Sequence, residues 1–149
     1  PGVRVSDSPD TLEAAYTLYG PIPTDSWHLV DDGILTGSGV TNITVGFEVR
    51  LRPQGAVAEE RDTILLSTQN TFQRDPDPQR AFAPVLFETT VAGLAAAAAP
   101  GDRLVWRIHA LRGDSGAMYI PNGDGDRKGQ YPGARIPRLD LPPSSPQNP

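Results

Sequence analysis

From Asn42 to Arg52 the chain reads Asn-Ile-Thr-Val-Gly-Phe-Glu-Val-Arg-Leu-Arg. Apolar side chains at Ile43, Val45, Phe47, Val49 and Leu51 alternate with Thr44, Gly46, Glu48, Arg50 and Arg52. Only extended backbone sends successive side chains to opposite faces, so this period of two predicts a strand over 42–52. One face should pack on a core and the other face water, the pattern of an antiparallel sheet. On that reading Phe47→Asp unfolds the domain, because a charge replaces a core ring. Glu48→Lys should be nearly silent, as a surface exchange.

The remaining sequence supports the same class. Arg103–Leu111 is a second clear strand, with Leu104, Trp106, Ile108 and Ala110 on one face. Shorter strands are expected at Trp27–Val30, Ile34–Val40, Thr63–Thr68, Phe82–Val91 and Ala117–Ile120. Asp31-Asp32-Gly33 reads as a turn. Asp75-Pro76-Asp77-Pro78 must be an exposed loop, since proline has no amide to give a ladder. Thr11–Tyr16 suggests a helical turn capped by Asp10 or Thr11. The five alanines Ala95–Ala99 suggest a turn of helix or an irregular crossover. Turn signals at intervals near ten residues predict an all-β protein, an antiparallel β-sandwich of jelly-roll or immunoglobulin-like type. The expected organisation is an N-terminal arm over 1–24, a sandwich domain over 25–131, and a Pro-rich tail over 132–149. The tail has too little apolar surface to order itself, so it should be extended or disordered unless docked.

Composition limits the function. A net charge of −5 with no basic block speaks against nucleic acid and against a polybasic membrane contact. No apolar run approaches the roughly 20 residues of a spanning helix, so membrane insertion is not expected. Cysteine is absent, which removes disulfides, thiolate metal sites and a thiol nucleophile. Lys128 is the sole lysine beside abundant arginine and alanine, a bias we read as bacterial. A chain starting at Pro1 is expected to be processed or trimmed.

Several constellations could carry chemistry. Gly113-Asp114-Ser115-Gly116 matches the tetrapeptide around the nucleophile of chymotrypsin-like proteases, but Ala117-Met118 follows where Gly-Pro is usual. A serine nucleophile also needs an imidazole and an orienting carboxylate, and His28 and His109 are the histidines at hand. A tight turn explains the string better. Glu48 and Glu88 could share a sheet face as a glycosidase pair, though solvated strand glutamates are commoner. Asn122, Asp124 and Asp126 place oxygens on alternate residues, the start of a calcium loop to which Asp31, Asp32 or Asp114 could add ligands. Arg127 and Gly133 occupy the sixth and twelfth places, so the EF-hand form is excluded. Asn42-Ile43-Thr44 is a glycosylation sequon, coincidental in a bacterial chain.

Trp27, Trp106, Tyr16, Tyr19, Tyr119 and Tyr131 are the rings available for stacking on sugars. The alternation around Trp106 assigns it to the core. The expected ligand site is therefore Tyr119, Asn122, Asp124, Asp126, Tyr131 and Trp27, with calcium at Asn122, Asp124 and Asp126. The expected function is a non-catalytic recognition module of an extracellular or cell-surface protein, binding carbohydrate; this rests on fold-level analogy. The alternative is a structural module of a surface layer, fibre or virion, a homo-oligomer whose terminal arms pack on neighbours or on another protein partner. A hydrolase is disfavoured, since no nucleophile-base-acid set can be assembled.

Overall fold

The computed structural model describes residues 2–5, 11–36, 42–57, 61–80, 83–114, 116–120, 135 and 137–142. Within them the protein is all-β and antiparallel, with a short 3₁₀ turn at Pro78–Arg80. The strands are β1 (Gly2–Val5), β2 (Thr11–Thr17), β3 (Ile22–Val30), β4 (Ile34–Thr36) and β5 (Asn42–Arg52). They continue as β6 (Thr63–Gln73), β7 (Glu88–Ala96), β8 (Arg103–Gly113), β9 (Gly116–Tyr119) and β10 (Arg138–Asp140). They form a four-stranded sheet β2-β8-β5-β6 and two three-stranded sheets, β10-β3-β7 and β1-β9-β4.

The 42–52 alternation becomes the central rung of the largest sheet. Ile43, Val45, Phe47 and Val49 are all fully buried. Phe47 stacks on Phe87, with centroids 5.3 Å apart, and meets Phe72 edge-on at 6.3 Å. Phe72 also meets Phe87 at 6.0 Å, so three rings tie β5 and β6 to the segment entering β7. One hydrophobic cluster draws side chains from all three sheets, including Trp27, Leu35, Phe47, Trp106 and Met118.

Three local expectations need correction. Thr11–Tyr16 is not helical: Thr11–Thr17 pairs residue by residue with β8, so Leu12, Ala14 and Tyr16 share a face with Ile108, Trp106 and Leu104. Cross-strand partners override the modest helix preference of that segment. The alanine run does not start with a helical turn either, since Ala95 and Ala96 complete β7 and only the following alanines are irregular. Asp31-Asp32-Gly33 is not a solvated turn; both carboxylates are fully buried and Gly33 bridges to Val85. Gly33 is required there because a Cβ would collide with the Met118 side chain.

The polar face of β5 is also less wet than its pattern suggests. Arg107 and Glu48 lie opposite each other, and Glu13 lies opposite Arg107. Glu13 accepts from Arg52 at 2.9 Å and from Arg107 at 3.0 Å. Asp62 holds Arg52 through two bonds of 2.6 and 2.7 Å, and Arg50 reaches Glu48 at 2.6 Å. Three carboxylates thus neutralise three guanidinium groups across the sheet. Partial burial raises the Glu13 carboxyl, but Arg107 and Arg52 hold it below its ordinary range. Arg52 likewise holds the Asp62 carboxyl low. The Glu48 side chain is only 13% exposed. Glu48→Lys is therefore not silent: it sets a third cation beside Arg50 and Arg107. We expect a loss of about 1–3 kcal/mol in urea unfolding, larger at low salt. A midpoint unchanged from wild type would show that the network carries no weight. No helix among the described residues is long and apolar enough to cross a membrane.

Candidate functional site

β10 is only three residues long, Arg138–Asp140, and pairs with His28–Val30 of β3. Pro137 and Pro142 flank it, and neither can donate to a ladder. From 137 to 141 the chain passes beside the end of the large sheet, where Leu139 and Leu141 pack on the core. At that end Leu18 N–H donates to Asp102 O at 2.7 Å and Gly101 N–H to Leu18 O at 2.9 Å, locking β2 to β8 beyond the last ladder pair.

Between these parts lies a groove of about 280 Å³. Leu18, Leu104 and Trp106 form its buried wall, Leu139 and Leu141 the opposite one, and Tyr16, Thr17 and Arg138 the rim. Tyr16 is 55% exposed, and Tyr19 three residues on is 61% exposed. Among the described residues no acceptor reaches the Trp106 indole N–H. A second, more open hollow of about 410 Å³, lined by Asn42, Gln73, Arg74, Asp75 and Pro76, offers no ring.

A chain of charged groups runs along the neighbouring sheet. His28 contacts Asp140 through Nδ1 at 3.1 Å and Glu88 through Nε2 at 3.3 Å. Arg135 donates to Glu88 at 3.0 Å and to both oxygens of Asp32 at 2.9 Å. Asp32 also accepts from the backbone of Arg135 at 2.8 Å and of Phe87 at 3.0 Å. The His28 hydrogen bond, helped by Arg138, holds the Asp140 carboxyl below its ordinary range against its partial burial. Asp31 differs: among the described residues no donor reaches either of its oxygens. Burial, reinforced by the Asp32 charge, pushes its carboxyl up to about 8.

Of the expected ligand set, Trp27 and Tyr119 lie among the described residues. Trp27 is fully buried in the core, where its ring offers no face to a ligand, a correction to its expected place in the ligand site. Tyr119 is half-buried in β9, opposite Gly2 and Ile34. Asn122, Asp124, Asp126, Tyr131 and Ser115 lie outside the described residues. Of the further calcium ligands, Asp32 is committed to Arg135, Asp31 is enclosed, and Asp114 accepts from the Asn42 amide at 3.0 Å. Among the described residues no three His, Asp or Glu side chains converge as a metal site. His109 packs over Gly46, filling the space a Cβ would take. Glu48 and Glu88 sit in separate sheets, bound to Arg50 and Arg135 respectively. Trp106 is core, as its alternation indicates. The groove is not legible in the sequence because its lining comes from three separate stretches, around residues 16–18, 104–106 and 137–141; the signal within reach is Tyr16, one of the rings available for stacking. No family model, no curated protein and no solved structure matches the chain.

Proposed function

We propose that the protein is a non-catalytic recognition module of the extracellular or cell-surface kind, its sheets closed as a β-sandwich, and that it binds carbohydrate in the groove beside Tyr16. The carrying observation is the exposed Tyr16 ring at the lip of an apolar cleft backed by Leu104 and Trp106. A sugar presents a C–H face that packs on a ring, and hydroxyl groups that need polar partners at the rim. Thr17 and Arg138 stand at that rim. The groove has room for one small cyclic unit of a longer chain, just below the roughly 300–1,000 Å³ of most small-molecule pockets.

Affinity electrophoresis through gels containing soluble polysaccharides tests this. The wild-type chain should be retarded by at least one of them. Tyr16→Ala should weaken that retardation about fivefold while leaving the melting curve in place, because one stacked ring is worth roughly 1 kcal/mol. Tyr119→Ala serves as the comparison at the site expected from sequence. Retardation by none of the polysaccharides, or equal retardation of Tyr16→Ala and wild type, removes the reading.

A further inference from the structure

We propose that the free edge of β6 pairs antiparallel with β6 of a second copy of this chain, joining two four-stranded sheets into one. β6 is the outer strand of its sheet, and among the described residues no strand pairs with its other side. It is eleven residues long and contains no charge, no proline and no glycine. Such an edge is a template for another strand, and proteins that remain single blunt it with charges, prolines, bulges or shortness. The other edges of this molecule carry those devices. β1, β4 and β10 have only three or four residues. β7 begins with Glu88 and holds Gly93 at positive φ, and β2 carries Glu13 in the charge network. Among the described edges β6 carries only one of these, a slip at Leu65 near its start, and from Leu66 to Gln73 it has none.

The strand is also complementary to itself. Its ladder to β5 slips near Ile64 and Leu66 and then runs unbroken to Gln73. A two-fold axis at Gln69, midway along the regular stretch, sets Gln69 against its own mate. The same axis sets Ser67 against Thr71, Thr68 against Asn70, and Leu66 against Phe72. Ser67, Gln69 and Thr71 are exposed on the outer face, and Leu66 and Phe72 lie on the core face. Each pair joins like surfaces, and nowhere do equal charges meet, which is the arrangement that would oppose pairing. A second copy is the occupant this register fits, since it sets exposed polar residues on exposed polar ones and core-facing residues on core-facing ones, and the uncharged edge is where two chains of net charge −5 repel each other least. The pairing stands independently of the sugar reading. With both in force, β2 and its mate lie at the ends of an eight-stranded sheet, about 34 Å apart at 4.8 Å per strand.

Light scattering of the full chain at micromolar to submillimolar concentration, with Gln69→Lys and Gln69→Glu, tests the inference. Wild type should be a dimer that dissociates on dilution. Each variant alone should be a monomer, because two like charges then face each other across the axis, and since Gln69 is exposed its melting curve should match that of wild type diluted to the monomer. Mixing Gln69→Lys with Gln69→Glu should restore the dimer. A monomeric wild type, with or without affinity for foreign strands, overturns the proposal. So does a dimer that survives both substitutions, which would place the interface elsewhere, or a mixture that stays monomeric.

Discussion

Asp31→Asn should flatten the pH dependence of melting between about pH 5 and pH 8 and raise the melting temperature at the alkaline end. The Asp31 carboxyl is fully buried, receives no hydrogen bond from the described residues, and lies beside the Asp32 charge. Burial first, and then that neighbour, lifts its pKa from an ordinary 3.8 to about 8. Between those values the folded chain keeps a proton that the unfolded chain releases. The stability tied to that proton is complete below the unfolded value. It is lost as pH rises, by up to about 1.4 kcal/mol per unit, until the folded value is passed. From about pH 5 to pH 7 the loss is about 2–3 kcal/mol, or roughly 5–10 °C for a chain of this size. Asparagine matches the shape of the neutral acid and has no proton to lose. On the acid side Asp140, Glu13 and Asp62 act oppositely. Their lowered values give stability that is present above the ordinary carboxylate pKa and lost as pH falls through the folded ones. Wild type should therefore be most stable in mild acid. A wild-type melting temperature that holds level or climbs from about pH 5 to pH 8 would sink this account, as would a variant that keeps the wild-type slope.

The same residues show where sequence reading succeeds. Alternation is a local signal, so β5 emerges with both ends in place and β8 from its first residue. β6 runs five residues beyond the expected Thr68, because Gln69, Asn70 and Gln73 are weak strand formers held by pairing with β5. β3 reaches back to Ile22, past Pro23, which sits where the ladder to β7 slips between Ile22 and Asp25 and no amide is asked for. What stayed hidden is non-local. Asp32 finds Arg135, and β10 finds β3, across about a hundred residues of chain. Nothing within three or four residues of either partner announces the other. The groove is hidden for the same reason, and Tyr16, one of the six rings available for stacking, is not in the expected ligand site.

Phe47→Asp should leave no folded population in water. Removing the ring alone, as Phe47→Ala, opens a cavity where β5, β6 and the entry to β7 meet, and costs about 3–5 kcal/mol. The neighbours cannot close over it cheaply: Phe72 is fully buried, and Phe87 is held by its backbone to both Asp31 and Asp32. A whole domain is stable by only about 5–15 kcal/mol, so the alanine variant should survive with a much lower melting temperature. Aspartate adds a carboxylate to that cavity. Ile43, Val45 and Val49 of the same strand face offer it no donor, and burying an unpaired charge exceeds what remains. Phe47→Leu keeps most of the volume and should lose about 1–2 kcal/mol. Far-ultraviolet circular dichroism of the three variants orders them as leucine, alanine, aspartate. A cooperative melt in Phe47→Asp within a few degrees of wild type would mean that the rings of Phe47, Phe72 and Phe87 do not join the sheets, and the fold described here would have to be redrawn from its centre.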